Sequence, residues 1–356
     1  MRALSLRELN RATLARQLLL RRARLTVPRA LERTGALQAQ WPPSPYIGLW
    51  SRLEGFRPEQ LVGAVGRRRA VKATLMRTTL HLVSAQDYLA YAGVFLRRRV
   101  ETVERDLAKH PGVTDMEELT RRVGELTAER PRTRPELLEL LGLPRLDSMG
   151  DRRPWLVWHL LAAKGALVHG PSSSAWRSNT AGGTFVPAEI WLEARGAGGE
   201  EAAGHLARRY LAAFGPATRA DLAQWTGLPL ALLEPGLERV RLRRLRDEEG
   251  RELLDLPRAP LPPADTPAPP RFLPRWDNVL LAHDDRRRVL PEEYRKVVIA
   301  KNGDVAETFL VDGVVAGTWS LEAGRVRLAP FAPLPARARR ELEAEAARLG
   351  AFVRID

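Results

Sequence analysis

One twelve-residue pattern occurs twice in this chain and limits what it can fold into: residues 133–144 read TRPELLELLGLP and residues 218–229 read TRADLAQWTGLP. In each copy the threonine and the acid three residues later can form a capping box, which is typical of a helix start. The glycine that follows suits a left-handed helix end, and the last proline suits the start of another helix. The chain therefore repeats a helix, a turn and a second helix, which is a helix-turn-helix unit.

A fainter third copy begins at Thr26, with Pro28 and Gly35 at the matching positions but Arg29 in place of the acid. Beyond it, residues 67–84 read RRRAVKATLMRTTLHLVS, where apolar and β-branched residues approach two-residue alternation. That alternation predicts a β-hairpin after the helices. Three helices followed by a hairpin make a winged helix.

The same reading along the chain predicts an α+β, mainly helical protein of three tandem winged-helix units with a C-terminal β-rich segment. The units span residues 1–112, 113–200 and 201–356. Asn302-Gly303 and Asp312-Gly313 predict hairpin turns in the last segment, ahead of a final amphipathic helix.

Other expectations concern the connections. Three prolines in residues 37–52 predict no regular helix there, and residues 171–183 read as a polar wing loop. Residues 196–204 read as a linker or a short surface turn, and a helix is predicted over residues 201–214. Eight prolines in residues 257–274 predict an extended connection. Helical spacing among apolar residues predicts core positions for Trp155, Trp158, Trp191 and Trp225.

The formal net charge of +14 favours a polyanionic partner, with duplex nucleic acid the leading candidate. Arginine supplies most of the base, a bias that a GC-rich genome also produces, but the excess over acid does not follow from codon usage. A basic protein without such a partner is the alternative.

The chain contains no cysteine, which excludes disulfides, cysteine zinc fingers, iron–sulfur clusters and a thiol nucleophile. No stretch reaches the ~20 apolar residues of a membrane span. The first residues are charged throughout and lack the apolar core of a signal peptide. We therefore expect a cytoplasmic, nucleoid-associated protein without membrane contact.

Four segments together resemble a known family: LNRATLARQLLLRR, GALQAQWPPSPYIGLWSR, VKATLMRTTLHLVSA and FLPRWDNVLLAHDDRRRVLP. They are similar, in order and over nearly the whole chain, to the tandem winged-helix DNA glycosylases typified by the AlkZ and YcaQ enzymes. The resemblance implies removal of bulky alkylated bases and unhooking of interstrand crosslinks. Gln38-Ala39-Gln40 matches the two-glutamine form of the family motif, in the AlkZ-like branch.

Because they match the two-glutamine motif of the family, Gln38 and Gln40 are our candidate catalytic residues. Carboxamides do not titrate near neutral pH, so neither can be a general base, but their oxygens can hold water and face a developing sugar cation. Such machinery suffices only for a good leaving group. An N7-alkylated purine carries positive charge and departs neutral, so the chemistry favours that lesion. The alternative is that both glutamines end a helix or face solvent.

The remaining candidates come from the basic cluster at residues 67–72, from the positions flanking the motif and from the resemblance, which implies that the segment around residues 276–288 supports the first unit and touches the DNA channel. The predicted DNA contacts are Arg67, Arg68, Arg69, Lys72, His81, Arg286 and Arg288. Trp41 and Trp50 flank the glutamines and are candidates for the pocket wall, and Asp277 is a second candidate for a catalytic carboxylate. The arginine cluster could equally be a solvated helix end, and His81 a structural histidine.

No metal site and no cofactor are predicted. His283, Asp284 and Asp285 invite a metal interpretation, but adjacent acids rarely point at one ion. We expect a monomer that binds double-stranded DNA largely without regard to sequence, because no dimerisation helix is evident. The alternatives are a non-catalytic winged-helix DNA-binding protein, such as a transcriptional regulator, and an RNA-binding or scaffolding protein.

Overall fold

The structure is a computed structural model that describes residues 2–110, 115–144, 146, 151–170, 183–197, 199–322 and 324–354. It is a mixed architecture of α-helices and three β-sheets. The helices in the described ranges are α1 Leu6–Arg16, α2 Val27–Thr34, α3 Ser44–Arg52, α4 Pro58–Gly66, α5 Ala85–Leu107, α6 Met116–Glu129, α7 Arg134–Leu140, α8 Arg153–Lys164, α9 Ala188–Leu192, α10 Gly199–Phe214, α11 Arg219–Thr226, α12 Leu230–Glu238, α13 Arg295–Val298 and α14 Ala336–Val353.

Thirteen strands in the described ranges form the three sheets. They are β1 Ala3–Leu4, β2 Leu37–Gln38, β3 Ala70–Thr74, β4 Leu80–Ser84, β5 Arg132–Thr133, β6 Leu167–His169, β7 Thr184–Pro187, β8 Arg243–Asp247, β9 Glu252–Asp255, β10 Arg271–Leu273, β11 Thr308–Val311, β12 Val314–Glu322 and β13 Arg325–Pro330.

The sheets link distant parts of the chain. The largest has the order β2-β4-β3-β6-β7-β5, so the β3–β4 hairpin and the later β6–β7 hairpin share one sheet. Lys72 of β3 pairs with His169 of β6 at that junction. A second sheet, β1-β8-β9, places the first strand of the chain beside a hairpin of its last third. The C-terminal sheet, β10-β11-β12-β13, confirms the predicted β-rich segment.

The repeated pattern forms the predicted helices. Thr133 and Thr218 each accept a hydrogen bond at the start of α7 and α11, and both capping boxes are complete. Gly142 and Gly227 have φ angles of 65° and 71°, the left-handed conformation expected after a helix.

The two copies continue differently. In the second copy Pro229 caps α12, so the helix-turn-helix is complete. In the first copy the next helix begins at Arg153 rather than at Pro144, and residues 145 and 147–150 lie outside the described residues. The third copy also forms a helix, α2, which Gly35 ends at φ 80°, although Thr26 makes no side-chain cap.

Two predictions about connections are wrong. Residues 44–52 form α3 despite the prolines, because Pro43 and Pro45 occupy the cap and first turn, where a missing N–H costs nothing. Residues 199–204 are the first turns of α10 rather than a linker. The predicted wing loop at 171–182 lies outside the described residues.

The C-terminal turns follow their sequence signals. Asp312 and Gly313 both have positive φ, 47° and 84°, and connect β11 to β12 in a two-residue hairpin. Gly303 at φ 83° lies in a turn closed by the Ile299–Val305 bridge.

The core is shared between the helical part and the C-terminal sheet. One buried cluster brings together Tyr91, Tyr210, Phe214 and Trp225 from α5, α10 and α11. A second packs aromatic residues of α3 and α14 against the C-terminal sheet: Trp50, Phe272, Phe309, Trp319 and Phe352.

The tryptophans divide by exposure. Trp158 and Trp225 are buried as predicted, and Trp191 packs half-buried against the core. Trp155 is 40% exposed instead, because it lies on the open side of α8. No helix in the described ranges combines the length and apolar character needed to cross a bilayer.

Candidate active site

The Gln38-Ala39-Gln40 motif lies on the edge of the largest sheet. Gln38 pairs with His81 of β4, and the Ala39 N–H donates to the Leu80 carbonyl at 2.7 Å. Gly35 and Ala36, with φ angles of 80° and 144°, turn the chain sharply from α2 into this strand. The motif is therefore held by backbone hydrogen bonds rather than carried on a free loop.

Gln38 is 6% exposed, and an arginine fixes its orientation. Arg77 Nη2 donates to Gln38 Oε1 at 3.1 Å, and the same guanidinium donates to the Trp225 carbonyl and to Asn278 Oδ1, at 3.5 Å for the latter. Because a guanidinium only donates, the amide oxygen of Gln38 must face Arg77. The Nε2 donor of Gln38 therefore points away from Arg77.

Arg77 is the most important site residue that sequence reasoning missed. It sits at the tip of the β3–β4 hairpin with φ 52°, in the left-handed region that most side chains avoid. Gly227 leaves room for it, since a Cβ there would lie 3.0 Å from Arg77 Cα. Burial and the nearby charge of Arg286 lower the pKa of Arg77 to about 10. A charged residue at the turn between the two predicted strands was the available signal.

Gln40 is exposed and accepts a hydrogen bond from the Leu80 N–H at 3.2 Å. Its side chain lines a cleft of about 240 Å³ between the β3–β4 hairpin and α8. Gln38 thus lies in a buried hydrogen-bond network with Arg77, whereas Gln40 lies at the wall of a cleft.

His81 is fully buried beside Gln38 rather than exposed to a ligand. Its Nδ1 donates to the Thr79 carbonyl at 3.0 Å, and its Nε2 has no partner in the described part of the chain. Burial, reinforced by the charge of Arg77, lowers the pKa of His81 to about 3, so the ring is neutral. A buried neutral imidazole is inconsistent with the predicted DNA contact.

Asp277 is held in a buried ion pair. Arg52 Nη1 and Nη2 donate to its two oxygens at 2.9 and 2.8 Å, and neither side chain is exposed. Asp277 Oδ1 also accepts the Val279 N–H at 3.0 Å. These bonds occupy the carboxylate, which argues against the catalytic role considered for it.

Asn278 carries the effect of that pair to the glutamine motif. Its Nδ2 donates to the Ala36 carbonyl at 3.0 Å, two residues before Gln38. The segment that contains Asp277 and Asn278 therefore supports the motif strand, and the contact that does so is a hydrogen bond to the backbone.

The two predicted arginine contacts of this segment have different environments. Arg286 is half-buried, donates to the Leu280 carbonyl at 3.0 Å and lies close enough to Arg77 to affect its pKa. Arg288 is 6% exposed and donates to the Pro216 carbonyl at 3.0 Å. The burial of Arg288 is inconsistent with the predicted phosphate contact. For the half-buried Arg286, a phosphate contact stays a prediction.

The aromatic residues near the motif also differ. Trp50 is 9% exposed, stacks on Phe352 at 5.9 Å and carries the Arg22 guanidinium at 4.5 Å. It belongs to the core between α3 and α14, which corrects its assignment to the pocket wall. Trp41 is half-buried and follows Gln40 directly.

The three arginines of the Arg67–Lys72 cluster lie at the other end of the hairpin from Gln38. Arg67, Arg68 and Arg69 are exposed, and Arg68 pairs with Glu193 and covers Trp191 at 5.0 Å. Lys72 is half-buried in β3, and burial lowers its pKa to about 8. The three arginines are therefore apart from the glutamines, whereas Lys72 pairs with His169, which lines the same cleft as Gln40.

The segment His283-Asp284-Asp285 holds its side chains apart. His283 Nε2 donates to the Phe214 carbonyl at 2.9 Å, and Asp285 is bound by Arg251 and Arg287. In the described ranges no three His, Asp or Glu side chains gather as a metal-ligating group.

Comparison with known proteins identifies the family of the chain. Residues 31–352 match the family described as DNA glycosylase AlkZ-like, and the chain belongs to that family. It is 27% identical over 311 residues to the interstrand DNA cross-link repair glycosylase of Streptomyces sahachiroi, covering 80% of each chain. The solved structure of Streptomyces sahachiroi DNA glycosylase AlkZ has a TM-score of 0.79 and 26% identity, over 99% of this chain and 98% of that one.

Replacing Asp277 should test the support of the motif. Asp277→Asn leaves the buried Arg52 charge without its partner, so we expect the free energy of unfolding to fall by about 3–5 kcal/mol. Glu54→Gln, which breaks the exposed Arg24–Glu54 pair, is the control and should leave the urea midpoint nearly unchanged. Equal midpoints for the two variants in urea unfolding would contradict the structural role of Asp277.

Proposed function

We propose that this DNA glycosylase hydrolyses the N-glycosidic bond of cationic N7-alkylated purines in duplex DNA, in repair or in self-resistance to an alkylating agent. The observation that carries the proposal is the pair of carboxamides at the end of the edge strand β2, Gln38 within the strand and oriented by Arg77, and Gln40 two residues later at a cleft wall. Two N7-alkylated purines joined across the strands are two such leaving groups, so the proposal extends to unhooking interstrand crosslinks. The similarity to the interstrand DNA cross-link repair glycosylase of Streptomyces sahachiroi supports that extension.

The orientation of Gln38 refines the chemistry. With its oxygen facing Arg77, Gln38 offers an N–H donor, whereas the Gln40 oxygen accepts from the Leu80 N–H at the wall of the cleft. Gln38 Nε2 can therefore hold a water through its oxygen, and the partial negative charge of the Gln40 oxygen can face the developing sugar cation. The cationic purine leaves as a neutral molecule, water adds to the anomeric carbon, and the added water then releases its proton to solvent.

The same proposal retains three tandem winged-helix units at residues 1–112, 113–200 and 201–356. What supports it is a repeated order: α2–α4 precede the β3–β4 hairpin, α6–α8 precede β6–β7, and α10–α12 precede β8–β9. We further propose a monomer that binds duplex DNA largely independently of sequence.

Removing either carboxamide should slow base release. Gln38→Ala and Gln40→Ala each lose a preorganised polar contact, which is typically worth about 10²–10³ in rate. The measurement is release of N7-methylguanine from a duplex under single-turnover conditions. Gln86→Ala, on an exposed position of α5, is the matched control. Affinity for undamaged duplex should scarcely change, since neither glutamine neutralises a phosphate.

Two outcomes would defeat this mechanism. One is a double alanine variant that releases the base at the wild-type rate. The other is a wild-type protein that binds duplex but never releases the base, which would favour the non-catalytic DNA-binding protein instead.

The proposed chemistry uses neither a titrating group nor a metal ion. Carboxamides do not titrate, and His81 stays neutral because its pKa is lowered to about 3. The rate of base release should therefore be flat between pH ~5 and ~7, where the imidazole of an unperturbed histidine would titrate. EDTA should not change it. A sigmoidal profile in this range, or loss with EDTA and recovery with zinc or magnesium, would require a different mechanism.

Duplex affinity should depend on charge rather than on sequence. The net charge of +14 predicts a steep fall of affinity with salt, as counterion release requires. Reversing Arg67, Arg68 and Arg69 to Glu should weaken binding to all duplexes alike in a fluorescence titration. Tight binding to one operator sequence at high salt would instead indicate a regulator.

A further inference from the structure

The cleft beside Gln40 has a one-sided chemistry. Its polar walls come from Arg99 of α5, Arg134 of α7, His159 of α8 and His169 of β6, together with threonines of the hairpin. Among the described residues no carboxylate lines it. The cleft therefore offers hydrogen-bond donors and positive charge without a compensating acid.

Arg99 is only 8% exposed and is incompletely bonded. Its Nη2 donates to His159 Nδ1 at 2.5 Å, while its Nε has no hydrogen-bond partner in the described part of the chain. A buried donor without a partner is costly, and such groups are uncommon unless a ligand or water completes them.

The contact with Arg99 also fixes the tautomer of His159. Because a guanidinium only donates, Nδ1 must be the acceptor and Nε2 must carry the proton. Burial, with the charges of Arg99 and Arg134, lowers the pKa of His159 to about 3, so the ring stays neutral. Trp155 packs against the imidazole with ring centroids 3.9 Å apart and the planes tilted by 47°, which restricts the ring. His159 Nε2 is thus a second fixed donor.

Arg134 supplies the charge. It is half-buried at the start of α7, and in the described ranges it makes no ion pair or hydrogen bond. Its guanidinium lowers the pKa of both His159 and His169, which places its charge close to both rings. By contrast Arg130, four residues earlier, is exposed and paired with Glu136 at 3.1 Å, outside the cleft.

We propose that this cleft binds a backbone phosphate of the DNA strand, with Arg134 as the charged contact and Arg99 Nε and His159 Nε2 as further donors. Three donors and no carboxylate among the described lining residues suit a phosphodiester oxygen, whereas a cationic N7-alkylated purine would be repelled by the two guanidiniums. Since Gln40 forms part of the same wall, the bound phosphate would fix the strand next to the carboxamides. The inference deepens the proposed function, because it rests on duplex DNA as the substrate.

The test measures affinity for an undamaged, fluorescein-labelled duplex over a range of salt concentrations. Arg134→Gln should weaken binding about tenfold, as expected for loss of a charge-assisted hydrogen bond. It should also reduce the slope of log affinity against log salt by about 0.9, the contribution of one phosphate contact. Arg134→Lys keeps the charge and should keep the slope.

Arg130→Gln is the matched control, since it removes the same charge from an exposed position nearby and should leave the slope unchanged. Circular dichroism melting of each variant separates misfolding from a binding effect. An unchanged slope for Arg134→Gln would overturn the inference. A second result would also overturn it: inorganic phosphate binds the cleft, but Arg134→Gln leaves duplex affinity unchanged. That result would indicate a site for small anions only.

Base release is measured separately on the same proteins. A wild type that releases no N7-methylguanine while Arg134→Gln still lowers the slope would refute the proposed activity and leave the phosphate site standing. Normal base release by the wild type with no effect of Arg134→Gln on binding would refute the phosphate site alone.

Discussion

The buried pair of Arg52 and Asp277 is the contact on which the arrangement of the site depends. It joins α3, which follows the glutamine motif directly, to a segment 225 residues further along the chain. Neither charge reaches solvent, so each is tolerable only while the other is present. The residue beside Asp277 then binds the backbone two positions before Gln38. The ion pair in the core thereby helps to position the two-residue strand β2, which carries Gln38.

Arg77 connects that strand to the second copy of the repeated pattern. The left-handed hairpin tip that carries it packs on Gly227, the residue that ends α11. Gly227, which the pattern requires for the helix end, thus also leaves the room that the backbone of Arg77 needs. Through the same guanidinium, Gln38 becomes a donor rather than an acceptor, which changes what the motif can do to a water molecule.

Local chemistry explains what could be predicted from the sequence. Capping boxes, left-handed glycines and the Asp312-Gly313 turn depend on neighbouring residues, and each formed as expected. Helix α3 was not predicted, because its prolines were interpreted as helix-breaking. They lie at the cap and in the first turn, where proline is tolerated.

The site was harder to predict for a physical reason. Whether Asp277, Arg288 or Trp50 faces solvent depends on partners far away in the chain, which no local pattern encodes. The same separation concealed Arg99 and Arg134, which meet Gln40 only in the folded protein. Beyond the site, β4, β3 and β6 are neighbours in one sheet, so residues of two hairpins line the cleft.

A chimera that exchanges residues 113–200 with those of a relative would receive one wall of the cleft from each parent. Recombination at that boundary would therefore be expected to mix recognition properties rather than transfer them intact.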